Sequence, residues 1–383
     1  MYVRHLSVTD FRSWPSADVA FGPGPSVLAG ANGQGKTNLV EALGYVATLS
    51  SHRVASDAPL VRAGADRAVV RCAVVSQDRE LRVELEIAPG RANRARLNGA
   101  PLSRPRELLG ALRVVQFAPE DLALVRGDPA ERRRFLDELA VARSPRLAGV
   151  RADLDRVLRQ RAALLKTAGP ARRAPGALST LDVWDAQLAE TGAALLVARL
   201  SALRALRPHA GAAYAAVAPS GGLFELRYAT ALSTALPELS DPDADPSVAA
   251  VQNALLAELT RLRSQELDRG VNLVGPQRDD LDLQLRGLPL RGYASHGEGW
   301  SAALALRLAT FELLRDEHPS GSDPVLVLDD VFAELDGARR DHLALVAGKA
   351  EQAIVTAAVA TDVPAQLDAA QYEIDSGRVR RVA

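Results

Sequence analysis

Residues 25–44, PSVLAGANGQGKTNLVEALG, decide how this chain folds. The apolar run at 27–29 predicts a short buried strand, and the apolar residues at 39, 40, 42 and 43 predict a helix after it. Between them lies GANGQGKT, which matches the phosphate-binding pattern G-x-x-x-x-G-K-[ST] in its strand, loop and helix setting. A glycine-rich turn before an ordinary helix is the alternative, but all four fixed residues are present. The sequence therefore predicts a P-loop that binds a nucleoside triphosphate.

The chemistry of a phosphate group explains the residue types in this loop. Glycines let successive backbone N–H groups wrap a phosphate, and the helix N-terminus adds its dipole. Lys36 is expected to reach the β- and γ-phosphates, where it assists catalysis, and the Thr37 hydroxyl is expected to hold Mg²⁺. The predicted nucleotide contacts are Gly30, Ala31, Asn32, Gly33, Gln34, Gly35, Lys36, Thr37 and Asn38.

Composition limits the class of protein. A chain of 383 residues with 48% hydrophobic content predicts two lobes, or one domain with a large insertion. A net charge of −1 gives no general attraction for a polyanion, so nucleic-acid affinity must come from local clusters. Cys72 is the only cysteine, which excludes an intrachain disulfide. Charged N-terminal residues and the lack of 18 consecutive apolar residues predict a cytoplasmic protein without a membrane span.

Predicted strands and helices occupy different parts of the chain. Alternating runs at 2–9, 17–21, 68–75 and 81–87 and a buried run at 112–117 predict strands. Helical patterns fill most of 129–206 and 248–268, interrupted at Pro145, at a linker at 169–176 and at Pro208. Strand character returns at Val271. Two runs, 324–329 and 352–356, are continuously apolar, as parallel strands covered on both faces are.

A pair of acidic residues ends the first of these continuous runs. Asp329 is expected to hold Mg²⁺ through water, and Asp330 to position or deprotonate the attacking water. Taken alone, two aspartates after an apolar strand are more often a helix N-cap, and the P-loop in the same chain reverses that preference. Because Lys36 and Asp329 are far apart in sequence, we predict that most of the chain between them forms an inserted lobe.

The chain resembles the ABC-type ATPase heads of the DNA-repair and chromosome-maintenance class, and within that class the RecF family of bacterial recombination mediators. The resemblance runs over nearly the whole chain. It is carried by DFRSW at 10–14, GANGQGKTNLVEAL at 30–43, SHR at 51–53, FAPEDL at 117–122, GDPAERRRFLD at 127–137, GPQRDD at 275–280 and LDDVFAELD at 328–336. It implies an α/β fold: a P-loop ATPase head with a mixed or parallel β core, N-terminal antiparallel strands and no long coiled coil. The ATP-binding domain would be split between 1–118 and 271–383, with a helical lobe at 119–270.

The resemblance also implies a homodimer that closes around two ATP molecules, each held by the P-loop of one subunit and the signature loop of the other. Ser295 and Gly297 occupy the signature position, where SHGE departs from the usual S-G-G-Q and from the S-Q-G-Q common in the family. Residues 334–336 match the loop that couples the two sites, and Thr356 stands where transporter-type ATPases have a switch histidine.

Two further residues enter the predicted site by resemblance. Arg12 lies where related heads place a residue near the nucleotide, although an arginine after a strand is often simply solvated. Gln116 is expected to sense Mg²⁺.

The implied function is that of an ATP-dependent DNA-binding clamp in replication, recombinational repair and the SOS response to DNA damage. A weak, DNA-stimulated ATPase would act as its switch, and recombinase loading at gaps or at junctions of single-stranded and duplex DNA would be its outcome. DNA, RecR and RecO are the implied partners. Two arginine clusters, 132–134 and the group 156, 159 and 161, either track a phosphate backbone or form charged helix faces, the commoner explanation.

Two other classes of protein carry a P-loop. The nucleotide-binding subunit of an ABC membrane transporter is the main alternative. Three features argue against the transporter alternative: the switch histidine is missing, Asp330 replaces the usual glutamate, and the two nucleotide motifs are far apart in the sequence. A small-molecule kinase is opposed by the signature loop and by the size of the insert.

Overall fold

The computed structural model describes residues 1–168 and 177–382, without the side chains of residues 168 and 177–179. The predicted linker at 169–176 lies outside the described residues. Contacts divide the chain into two compact units. The first consists of Met1–Leu122, His209–Gly222 and Ser295–Ala383, and the second of Ala123–Pro208 and Leu223–Ala294. This division differs from the predicted ranges, since it places 119–122 and 209–222 in the first unit and 271–294 in the second.

The strands of the described residues are β1 (Tyr2–Phe11), β2 (Trp14–Ala20), β3 (Gly24–Ala29), β4 (Ala68–Ser76), β5 (Arg79–Ile87), β6 (Arg94–Leu97), β7 (Ala100–Pro101), β8 (Val114–Phe117), β9 (Phe224–Ala229), β10 (Asp280–Leu285), β11 (Leu288–Pro289), β12 (Val325–Asp329), β13 (Gln352–Ala357), β14 (Ala370–Asp375) and β15 (Arg378–Arg381). The helices are α1 (Lys36–Thr48), α2 (Ala123–Arg126), α3 (Pro129–Arg143), α4 (Leu147–Ala168), α5 (Ala177–Val217), α6 (Val248–Arg269), α7 (Leu290–Tyr293), α8 (His296–Asp316) and α9 (Gly337–Lys349).

The sheet that carries the P-loop lies in the first unit. Its order is β15-β14-β3-β13-β12-β8, and all neighbours are parallel except β14 and β15. Every residue of β12 and β13 is buried, which explains their continuous apolar runs. Because parallel strands end at the same edge of a sheet, the P-loop after β3 and the acidic pair at the end of β12 meet there. The predicted α/β fold with a mixed sheet is confirmed.

A second sheet of the first unit contains the N-terminal antiparallel strands, in the order β2-β1-β4-β5-β6-β7. Strands β1, β4 and β5 bury largely alternate residues, so one face covers a core and the other meets solvent. Asn98 and Gly99 connect β6 to β7 with positive φ angles of 52° and 83°. This is the hairpin turn that an Asn-Gly pair favours.

The second unit combines helices with a sheet of three strands, β11-β10-β9. Two details of the prediction are wrong. Val271 begins no strand, because Gly275, with φ of 122°, and Pro276 break the extended chain before β10 starts. Pro208 does not end a helix, since α5 continues through it to Val217. A proline removes one hydrogen bond, and the buried residues on both sides of it keep the helix intact.

Among the described residues, no helix is long and apolar enough to cross a membrane. The helices form no long coiled coil within the described part of the chain, as predicted.

Candidate functional site

Two glycines of the P-loop, Gly30 and Gly35, have no room for a side chain. Gly35 caps α1 with φ of 96°, and a Cβ there would lie 2.6 Å from the Trp14 indole nitrogen, which donates a hydrogen bond to the Gly35 carbonyl. A Cβ on Gly30 would lie 2.3 Å from the Ile374 carbonyl oxygen. The loop is therefore a cradle of backbone atoms, as a phosphate site requires.

Lys36 folds back over this cradle. Its Nζ donates to the carbonyl oxygens of Gly30, at 2.6 Å, and Ala31, at 3.2 Å, and only 5% of the residue is exposed. An ammonium group has three N–H donors, so one remains for a phosphate oxygen. The ammonium group thus lies within the loop that it is predicted to serve.

Asp329 and Thr37 meet at the edge of the sheet. The Thr37 hydroxyl donates to Asp329 Oδ1 at 3.1 Å, and the Thr356 hydroxyl donates to the same oxygen at 2.6 Å. Burial raises the pKa of Asp329 to about 6, although these two hydroxyl groups oppose the shift. The Asp329 carboxylate is buried and therefore costly to ionise, and the Thr37 hydroxyl lies next to it. Together these two groups offer oxygen ligands of the kind that suits Mg²⁺.

Thr356 also fixes Asp330. The Asp330 backbone N–H donates to the Thr356 hydroxyl at 2.9 Å, and Asp330 has φ of 54°, an uncommon value outside glycine. One threonine therefore orients both acidic residues. In the sequence, Thr356 was notable only because it stands where transporter-type ATPases have a switch histidine.

The signature loop is built differently. Ser295 caps α8: its hydroxyl accepts from the Glu298 N–H at 3.2 Å, and the Glu298 carboxylate accepts from the Ser295 N–H at 2.9 Å. This reciprocal pair is a capping box. Ser295 is exposed, and its hydroxyl proton remains available to a ligand. Next to it, Gly297 lies beside the guanidinium group of Arg339.

Comparisons with known proteins decide the family. Residues 2–372 match the family described as the RecF/RecN/SMC N terminal domain. The chain is 58% identical to the DNA replication and repair protein RecF of Frankia alni and 56% identical to that of Streptomyces avermitilis, each over the full length of both chains. The chain belongs to the RecF family. Its function class is that of the DNA replication and repair proteins of this family.

Solved structures agree with the RecF assignment. The recombination mediator protein RecF-ATP in RecFOR pathway is 27% identical, with a TM-score of 0.88 over 100% of this chain and 98% of that chain. The Smc head domain of Pyrococcus furiosus is 18% identical, covers 100% of this chain and 96% of that one, and has a TM-score of 0.54, so it shares the fold alone. These relatives do not favour the transporter alternative.

Arg12 packs against the side of α1 in this RecF-family chain. Its guanidinium group donates to both carboxylate oxygens of Glu41, at 2.8 and 2.5 Å. Burial favours the neutral acid, but the hydrogen bonds from Arg12 and Ser51 outweigh it and lower the pKa of Glu41. These bonds tie the turn between β1 and β2 to the P-loop helix. A direct contact of Arg12 with nucleotide stays a prediction.

Gln116 lies away from Thr37. Its side-chain nitrogen is 3.4 Å from Nε2 of His52, and its oxygen lies 2.9 Å from the position of a Cβ on Gly44. Gly44 follows Thr37 by almost two turns of α1, roughly 10 Å. A role of Gln116 in Mg²⁺ sensing stays a prediction, and its side chain would have to move to reach the metal residues.

Glu120 was missed by sequence reasoning. It follows β8, and its charge raises the pKa of Asp329 further, which puts it close to the acidic pair. Its carboxylate is also 3.8 Å from Nε of Arg53. The sequence signal that could have found Glu120 is its motif, FAPEDL, because this motif begins at the end of β8, the strand that pairs with β12.

The arginine clusters of the second unit are partly structural. Arg132 forms a two-bond ion pair with Asp280, and Arg161, which is fully buried, pairs with Asp185 and Glu266. A buried guanidinium is held by carboxylates and cannot track a DNA backbone. Arg156 pairs with Asp153 on the surface. Arg132 and Arg161 therefore belong to the core, and both explanations stay open for Arg156.

Proposed function

We propose that this chain binds ATP with Mg²⁺ and closes on it as a homodimeric clamp that binds DNA during repair and gap processing. The observation that carries the proposal is the set of hydrogen bonds joining Thr37 to Asp329 and Asp330 through Thr356, residues that the sequence keeps far apart. The solved relative whose name includes RecF-ATP supports the nucleotide. In this proposal, residues 1–118 and 271–383 form the ATP-binding domain and 119–270 the inserted lobe.

Each residue of the site has a distinct role in the proposed hydrolysis of ATP. Backbone N–H groups of residues 30–38 and Nζ of Lys36 bind the β- and γ-phosphates, while Thr37 and Asp329 hold the metal. Mg²⁺, when bound, would neutralise the charge that develops on the phosphates. Asp330 orients the attacking water and accepts its proton. Asp330 has one methylene fewer than the usual glutamate and reaches less far, which suits a weak, switch-like ATPase.

ATP would drive closure because it contacts both subunits. Ser295 and Gly297 of one subunit would contact the γ-phosphate held by the P-loop of the other, so ATP has a higher affinity for the closed dimer than for the monomer. Hydrolysis removes the γ-phosphate and this difference in affinity. The exposed position of Ser295 supports the proposal, since ATP bound to the P-loop of another subunit could contact its hydroxyl.

The partners follow from the relatives. Two solved RecF structures are named as members of the RecFOR pathway. We assign RecR and RecO as protein partners of this chain, with gapped or junction DNA as its nucleic acid. A protein with these partners acts on the chromosome in the cytoplasm.

Sedimentation tests the clamp directly. The purified protein is measured alone, with ATP, and with ATP and a gapped duplex, and Lys36→Met serves as the control without nucleotide binding. We expect a dimer only with ATP, and DNA affinity that falls steeply from low to physiological salt because phosphates are contacted. DNA affinity that responds to neither ATP nor salt would overturn the clamp.

A further inference from the structure

Arg339 connects two loops of the first unit. It lies in the first turn of α9, its backbone N–H donates to Asp336 at 3.0 Å, and its guanidinium group forms an ion pair with the same carboxylate. Both terminal nitrogens of Arg339 lie 3.9 Å from the position of a Cβ on Gly297. The guanidinium group therefore sits between the coupling loop, residues 334–336, and the signature loop.

The hydrogen-bonding capacity of Arg339 is not exhausted. Its Nε is buried and has no hydrogen-bond partner among the described residues. A guanidinium group has five N–H donors in a planar fork, a geometry that matches phosphate oxygens. The neighbouring Arg340 differs, since it donates to the carbonyl oxygens of Phe332 and Leu335 and so braces the coupling loop.

Two carboxylates lie near Arg339 at the signature loop. Glu298 stands where the usual signature has a neutral glutamine, and its carboxylate lies at the N-terminus of α8. Asp336 contributes a second carboxylate on the other side of Arg339. A γ-phosphate that approaches two carboxylates is repelled by both, and this repulsion is strong where water is excluded. Arg339 is a cation that lies against this loop.

We propose that Arg339 is a further nucleotide-binding residue. With ATP of the partner subunit seated against Ser295 and Gly297, the guanidinium group donates to the γ-phosphate and offsets the charge of Glu298. The inference rests on the proposed shared site. It assigns Arg339 to the signature half of that site, and therefore to the nucleotide held by the other subunit.

Mixed dimers test which nucleotide Arg339 serves. Arg339→Gln removes the charge, and the variant on its own should lose about a hundredfold in ATPase rate, as loss of one charge-stabilising donor typically does. When Arg339→Gln is mixed with Lys36→Met, one composite site carries both defects and the other carries neither. Part of the activity should return. If Arg339 served the P-loop of its own chain, both sites would be defective and no activity would return.

A parallel mixture separates this inference from the proposed function. Ser295→Arg mixed with Lys36→Met should also recover activity if the site is shared. Recovery in that mixture but not with Arg339→Gln would overturn the inference alone. Failure of both mixtures would overturn the shared site, and the inference with it.

A second measurement separates phosphate binding from a structural role. Loss of a γ-phosphate contact should abolish ATP-driven dimerisation of Arg339→Gln in sedimentation, while calorimetric affinity for ADP stays at the wild-type value. Arg339→Lys, which keeps the charge, should restore part of the dimer. Arg71→Gln, on the antiparallel sheet in an ion pair with Glu84, is the matched control and should behave as wild type. ATP-driven dimerisation of Arg339→Gln at wild-type strength would overturn the inference.

Discussion

The P-loop and the signature loop each begin a helix, and they treat the helix N-terminus in opposite ways. No side chain caps α1, and its first turn has no acidic residue, so its N–H groups stay open to a ligand. Ser295 and Glu298 form a capping box at the start of α8, which pairs the backbone N–H groups of both residues within the chain. The start of α1 thus has no side chain competing for its N–H groups, whereas the start of α8 is partly satisfied by side chains of its own chain.

This difference indicates how the two halves of the proposed site bind. The P-loop half supplies backbone donors, the buried Asp329 and the proposed base Asp330, and contacts within one chain fix the positions of these groups. The signature half supplies side chains on an exposed loop that is stable without ligand. We therefore expect variants of the first half to alter affinity, turnover or folding, and variants of the second half to alter closure.

The largest effect should come from Asp330→Asn. It keeps the metal and γ-phosphate contacts but removes the base, so turnover should fall about 10²- to 10⁴-fold. ATP should then hold the protein as a long-lived closed dimer. Phosphate release and sedimentation measure the two effects, and a monomeric variant in saturating ATP and DNA would show that bound ATP does not hold the dimer closed.

Asp329→Asn should stabilise the protein in the absence of metal, in a manner that depends on pH. The pKa of Asp329 rises from 3.8 to about 6, so the folded protein holds the proton more tightly than the unfolded chain. This stabilising contribution is complete below pH 4 and is lost as the pH rises through 6. At pH 8 the variant should exceed wild type by roughly 3 kcal/mol in free energy of unfolding.

Denaturant unfolding in a metal chelator at pH 4 and pH 8 checks this expectation. The difference between the variant and wild type should be small at pH 4, because the folded aspartate is then protonated and the unfolded one is only about half ionised. Equal stability at both pH values would show that Asp329 is not costly to ionise.

Gly35→Ala should separate the P-loop cradle from an ordinary turn. The alanine Cβ would lie 2.6 Å from the Trp14 nitrogen and would also need φ of 96°. Strain and displacement of Trp14 together should lower the free energy of unfolding by about 3 kcal/mol. Gly33→Ala has a similar φ of 85° but open space, and should lose about 1 kcal/mol. Equal losses would mean that the indole contact contributes nothing to the loop.

The smallest effect should come from Glu298→Gln in the signature half. Glutamine can still accept from the Ser295 N–H, so the cap remains and the free energy of unfolding should change by less than about 1 kcal/mol. Removing the charge should strengthen ATP-dependent dimerisation a few fold, as read by sedimentation. Glu190→Gln, on the surface of α5, is the control. Weaker dimerisation in Glu298→Gln would show that the carboxylate assists closure.

The sequence alone predicted the elements whose signals are local. The P-loop, the continuous runs of β12 and β13 and the Asn98–Gly99 turn are each encoded within a few residues, because backbone geometry and burial on both faces leave a short pattern. Pro208 within α5 shows the limit of such patterns. A proline usually signals a helix end, and only the structure shows that this helix continues to Val217.

Only the tertiary structure shows which residues far apart in the sequence contact each other. Thr356 orients Asp329 and Asp330, Gln116 turns toward His52, and Arg161 is held by two buried carboxylates. The P-loop and the acidic pair were evident in the sequence, because only a few residue types are suited to bind phosphate or a metal ion. Their partners were not, because a hydrogen bond or ion pair depends on the position of a side chain in space, and that position is fixed by packing between segments far apart in the chain.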